Sequence, residues 1–187
     1  MIQADDILTF WRGLGPAGWY AVDAAIDDAI RHRFGPAWRK ARNGGFRGWR
    51  ATPEGALAYL ILTDQFPRNM FRGSPEAFAT DARALSAARR AVLAELDLQV
   101  AVPERQFFYM PFMHSEKLAD QDSSIALFRE RMPDPGSLRH AIAHHEVIRR
   151  FKRFPYRNAA LGRVTRPAER RFLDDGGYAA ILRDLGE

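Results

Sequence analysis

TPEGALAYLILTDQFPRN, residues 52–69, carries the signals that decide the fold. Thr52-Pro53-Glu54 joins a capping hydroxyl, a proline suited to a first helical turn and an acid that favours the positive end of the helix dipole. An apolar run follows, and Pro67 disfavours helical geometry at Phe66. The stretch predicts a helix from Pro53 to about Gln65. Arg68 and Asn69 then emerge just past its C-terminus.

The same punctuation recurs in both directions. Asp5 or Asp6 can cap a first helix with a face of Ile7, Phe10, Trp11 and Leu14, ended over Gly13–Gly18. Asp23 can cap a second, with Val22, Ile26 and Ile30 in helical spacing, ending near Phe34-Gly35-Pro36. A short helix over Ala37–Arg42 stops at Asn43-Gly44-Gly45. Ser74-Pro75-Glu76 opens a long helix to about Glu95. Pro103-Glu104 opens another, broken by Pro111. Helix resumes at Ser115-Glu116 and runs to about Arg131, Ser137 caps the next to about Phe154, and Thr165 with Pro167 starts one to Leu173. Tyr178–Leu185 adds a last turn or two. No segment alternates as a strand would. The expectation is a single all-α domain over residues 1–187: eight or nine short helices stacked as antiparallel hairpins on tight loops.

An internal echo links two of these helix ends. Leu60…Phe66-Pro67-Arg68-Asn69 resembles Ile148…Phe154-Pro155-Tyr156-Arg157-Asn158. Each Arg-Asn pair either satisfies the end of its own helix or faces a ligand. Three helices also carry a polar residue among apolar ones. At 100° per residue Asp64 shares a face with Leu57, Leu60 and Ile61, in a last turn where the dipole disfavours a carboxylate. It is either a general acid or base with a burial-raised pKa or one half of a buried ion pair with an arginine. His144 shares a face with His140, Val147, Ile148 and Phe151. If the chain is helical from His114, then His114, Leu118, Gln121, Ile125, Phe128 and Met132 form one stripe. Glu116 and Asp120 then fall on the other side as solvated or capping groups. Inward polar groups are costly unless paired, and a shared pocket is the simplest common explanation.

Composition excludes several alternatives. Thirteen Phe, five Tyr and four Trp in 187 residues supply a core. No stretch reaches the apolar length of a membrane helix, and the N-terminus MIQADDILTF lacks the pattern of a secretory leader. There is no cysteine, which removes disulfides, thiolate metal sites and thiol catalysis, and a cytoplasmic location is expected. The net charge is +5 and the pI about 10.0. Basic residues crowd 29–53 and 149–171, with Phe34, Trp38, Phe46 and Trp49 interleaved in the first stretch. No nucleic-acid-binding signature accompanies them, so solvated arginine faces are favoured over a nucleic-acid surface. A metal would need Asp64 and the histidines to converge. His140 and His144 have the i, i+4 spacing of metal ligands, but no HExxH motif exists, because His145-Glu146 lacks the second His. No metal and no cofactor is expected.

Residues 62–73 (LTDQFPRNMFRG), 77–81 (AFATD), 107–116 (FFYMPFMHSE), Asp120-Gln121, and His144 through Asn158 together resemble the signature of a bacterial family, domain of unknown function 924. Phe10-Trp11 fits it too. The resemblance spans roughly residues 7 to 173. It implies a tetratricopeptide-like α-α superhelix in an intracellular bacterial protein, and it implies no reaction. Family positions fall on Asp64, Arg68, Asn69, His114, Glu116, Gln121, His144, Arg157 and Asn158. The family's second motif usually resembles FGRFPHRN. In this chain Lys152 stands for its Gly and Tyr156 for its His.

The expected function is binding of a small carboxylate or phosphate between helices. Asp64, His114 or His144 would supply any acid–base chemistry. Arg68, Asn69, Tyr109, Glu116, Gln121, Arg157 and Asn158 would hold the ligand. The alternative is a helical-repeat module whose Arg-Asn pairs clamp a peptide carboxylate.

Overall fold

The computed structural model describes residues 2–186. Among these residues every regular element is helical and no strand occurs. The α-helices are α1 Ala4–Trp19, α2 Ala24–Arg42, α3 Pro53–Leu60, α4 Phe66–Met70, α5 Asp81–Leu93, α6 Met110–Met113, α7 Leu118–Arg131, α8 Pro135–Phe151, α9 Pro167–Asp174 and α10 Gly177–Asp184, joined in part by short 3₁₀ turns. No described helix is long and apolar enough to cross a membrane. The chain divides into two compact units, one ending at Pro111 and the next beginning at Phe112.

In the first unit α1 packs on α3, α2 on α4, and α3 on α5. Its core is aromatic. Trp11 lies 5.7 Å from Phe66 and 5.5 Å from Phe107 edge-on, and it stacks on Trp19 at 6.0 Å. Phe34 stacks on Phe66 at 4.8 Å. Such pairs add a little to the large areas the rings bury. Gly55 is required where α3 meets the turn before it. A Cβ there would come within 2.2 Å of the Trp49 carbonyl oxygen.

Several element ends differ from the sequence reading, each for a physical reason. The first cap is Gln3, whose backbone N–H donates to Asp6. Helix α1 also carries a kink, with Gly15 at φ 64°. Asp23 does cap α2, accepting from the Ala25 and Ile26 amides. Gly35-Pro36 does not end that helix. Phe34, Ala37, Trp38 and Ala41 are all buried, while Pro36 and His32, four residues before it, lie on the exposed face of the helix. Val22 lies outside α2 and is exposed.

Thr52 caps α3 as expected, accepting from Gly55. Beyond Leu60 the helix does not stop. It widens into a π turn over Ile61–Gln65 and continues as α4 through Pro67. Proline has no N–H for the carbonyl four residues back. That carbonyl, Thr63, accepts instead from the Thr80 hydroxyl at 2.6 Å, and Thr80 accepts from Trp38 Nε1 at 3.1 Å. Ser74-Pro75 opens only a 3₁₀ turn, Pro75–Phe78, before α5. Pro103-Glu104 likewise gives a 3₁₀ turn over Glu104–Phe108.

In the second unit α7 and α8 form a hairpin on a three-residue loop, and α10 packs on α8 and α9. Ala143, Val147, Ile148, Phe154, Phe172 and Ile181 form its core. Asp134, not Ser137, caps α8 through the Gly136 and Ser137 amides. Lys152 closes α8 in the left-handed conformation, φ 61°. The chain is not helical across 114–117, so α7 starts at Leu118 and its buried face is Asp120, Gln121, Ser124, Leu127 and Phe128. This shift in register corrects the expected stripe: Leu118 is exposed and Asp120 is buried.

Candidate functional site

In the first unit Asp64 sits on the π turn and is 1% exposed. It accepts from Gln65 Nε2, and its Oδ1 lies 3.3 Å from Arg68 Nη1. Arg68 also grips Asp81 through both terminal nitrogens at 3.1 Å and donates to the Asp64 carbonyl. A buried carboxylate is tolerable when paired in this way. Asn69 is buried in α4 and donates to Asp27 Oδ1 at 2.8 Å. Arg72 shares that carboxylate, with Nη2 3.0 Å from Oδ1. Tyr109 is fully buried, and its hydroxyl meets Asp97 Oδ2 at 2.6 Å.

In the second unit the remaining predicted residues fall into two groups. One group holds the chain together. Glu116 accepts from both Arg163 nitrogens, at 2.8 and 2.9 Å, and from the Phe154 amide at 2.9 Å. These contacts hold its pKa below the usual carboxylate range despite burial that pushes it up. Gln121 bridges the break before α7, donating to the Met113 and Ser115 carbonyls at 2.7 and 2.6 Å. Asn158 donates to Glu169 at 3.1 Å, and Arg153 grips the same carboxylate at 2.7 Å through two nitrogens. The pKa of Glu169 is lowered to about 2, chiefly by Arg153. Asn69 with Arg72 and Asn158 with Arg153 thus repeat one device, an amide and a guanidinium on a shared carboxylate.

Of the other group, His114, His144 and Arg157, His144 lines a cleft of about 510 Å³ together with Tyr156, Leu173, Gly176, Gly177, Tyr178 and Ala179. Helix α8 supplies His144, and the first turn of α10 supplies one wall. The His144 ring lies edge-on to Tyr178 at 4.7 Å, to Phe154 at 5.6 Å and to His114 at 6.2 Å. Its Nδ1 faces the His140 carbonyl at 2.9 Å. Burial, then repulsion from His114, lowers its pKa from 6.5 to about 3, so the ring is neutral near pH 7. Arg157 is buried with its guanidinium 4.3 Å from the centre of the Phe154 ring. Tyr178 meets His140 Nδ1 at 2.6 Å, and burial pushes its hydroxyl pKa up. Among the described residues no group of three or more His, Cys, Asp and Glu side chains is placed to hold a metal ion.

Sequence reasoning did not select Tyr178, His140, Leu173 or the Gly176-Gly177 pair. Tyr178 lies in a short terminal helix with no local signal beyond its apolar spacing. Tyr156 carried a signal, because it departs from the family motif. It is 42% exposed at the cleft.

This is an all-helical protein whose polar signature residues are divided between internal clasps and one histidine cleft. The chain belongs to the family of bacterial proteins of unknown function DUF924, whose model matches residues 7–177. It is similar to a solved structure from Agrobacterium tumefaciens, the protein of unknown function ATU0120, with 40% identity and a TM-score of 0.88. That match covers 92% of this chain and 97% of the other. No curated protein compared with the chain matches it.

Proposed function

We propose that the protein binds a small anionic molecule, a carboxylate or a phosphate, in the cleft at His144. One observation carries this reading: the His144 ring that lines the cleft is backed by two basic side chains, His114 with its ring 6.2 Å away and Arg157 with its guanidinium over the neighbouring Phe154 ring. Basic side chains behind a concave wall give it a positive potential that draws an anion in. The ring walls of Tyr156 and Tyr178 suit an apolar body behind the charge. The peptide-clamp reading draws less support, because Asn69 and Asn158 already hold the chain's own carboxylates, Asp27 and Glu169. We read the protein as cytoplasmic, which its lack of cysteine favours.

The test is thermal unfolding with sulfate, phosphate and acetate, compared with sodium chloride at equal ionic strength. Ligand at 100 times its dissociation constant stabilises by about 2.7 kcal/mol. Ala179 is exposed at the cleft, and Ala179→Trp would fill it. Stabilisation by an anion in the wild type that disappears in Ala179→Trp is the expected result. Equal stabilisation of both proteins would place any anion elsewhere and overturn the reading.

A further inference from the structure

The anion reading of the cleft is the premise here, and the question is what His144 does when an anion arrives. Its Nδ1 lies 2.9 Å from the His140 carbonyl oxygen. A carbonyl only accepts, so Nδ1 carries the ring hydrogen and Nε2 is the bare acceptor of the neutral imidazole. A carboxylate or a fully ionised oxyanion such as sulfate also only accepts. It cannot bond to bare Nε2, whereas it bonds well to Nε2–H of the cation. The groups facing the ring come from five places. His140 lies on its own helix, and His114 precedes α7. Arg157 and Tyr156 belong to the turn over Pro155–Arg157. Helix α10 supplies Tyr178 and α9 supplies Leu173. The interior carboxylates of this unit are engaged: Asp120 with Ser115, Glu116 with Arg163, and Glu169 with Arg153.

We propose that an anion enters this cleft together with one proton, which His144 Nε2 takes up. The proton comes from the buffer acid and adds to the Nε2 lone pair, and no other bond changes. The empty ring resists that proton because it is packed among the rings of Phe154, Tyr178 and His114 with Arg157 nearby. The anion reverses the local potential and supplies the acceptor for the new N–H. Affinity therefore rises as pH falls, by up to about tenfold per pH unit wherever the empty ring is neutral and the occupied one is charged.

Sulfate is the probe, because it does not itself titrate near neutral pH. Calorimetry of the whole chain in two cationic buffers of different ionisation enthalpy gives the protons taken up on binding. In the wild type the expected result is tighter sulfate binding from about pH 7 to about pH 5, with uptake approaching one proton. His144→Gln keeps a neutral side chain, and it is expected to bind sulfate with no uptake and a flat pH profile. His114→Gln should retain the uptake. Sulfate binding in the wild type without proton uptake overturns the proposal and leaves the anion reading standing. Uptake that survives His144→Gln and vanishes in His114→Gln also overturns it, by assigning the proton to the other ring. Failure of the wild type to bind sulfate at any pH in the range overturns both.

Discussion

Lys152 shows how one residue can depart from its family's pattern at a measurable cost. It ends α8 with φ 61°, where a side chain meets its own backbone and glycine does not. Lys152→Gly, which restores the residue usual in the family motif, is expected to raise stability by about 1 kcal/mol in urea unfolding. The gain should lie in the folded state, leaving the denaturant dependence unchanged. Asp27 gives the opposite case. Its carboxylate receives Asn69 and Arg72, which hold its pKa low against the burial that raises it. Asp27→Ala leaves a buried amide donor with nothing to bond, so a loss of about 1–3 kcal/mol is expected by the same measurement. At this scale the sequence was legible where spacing sufficed. Asp64 is buried among the residues that helical arithmetic assigned to its face, with the arginine four positions on beside it. Asp120 was misread, because its place depended on a helix that starts four residues later than expected.

Helix α3, the π turn and α4 form one continuous element through a residue that ought to end it. Thr80 makes this possible by supplying the hydrogen that Pro67 lacks. Thr80→Val is expected to destabilise by about 1–3 kcal/mol, since the Thr63 carbonyl and Trp38 Nε1 both lose a buried partner. In a Pro67→Ala background the new amide can serve Thr63, so the Thr80→Val loss should shrink. A double-mutant cycle followed by urea unfolding checks this, and equal losses in the two backgrounds would refute the link. The partner of Thr63 lies seventeen residues downstream, and no local pattern announces it. Pro36 was illegible for a related reason. A proline in a helix costs about 3 kcal/mol in isolation, and burial of Phe34, Ala37, Trp38 and Ala41 outweighs that. Caps made by one side chain on the next turn, such as Thr52 and Asp23, were readable because both partners are local.

For the whole chain, acid stability follows from two kinds of group acting in the same direction. The carboxylates of Asp27, Glu116 and Glu169 have lowered pKa values in the folded state, so they stabilise it above their unfolded values. That contribution is lost as pH falls from about 4.5 through the folded value, about 2 for Glu169. His144 resists protonation when folded, while the unfolded chain binds that proton below about 6.5. Stability should thus fall in two stages, first from about pH 6.5 and then below about 4.5, when urea midpoints are measured against pH. His144→Gln should remove its share of the first stage. All-α architecture was legible from punctuation alone, and the division at Pro111 was not, because it depends on contacts distant in sequence. That division also sorts the chain's natural spectroscopic reporters. All four tryptophans, Trp11, Trp19, Trp38 and Trp49, lie before it, and four of five histidines, His114, His140, His144 and His145, lie after it. Indole fluorescence therefore follows the first unit and imidazole proton resonances largely the second. One unlabelled sample, melted once and observed by both signals, reveals whether the two units lose their structure together or in turn.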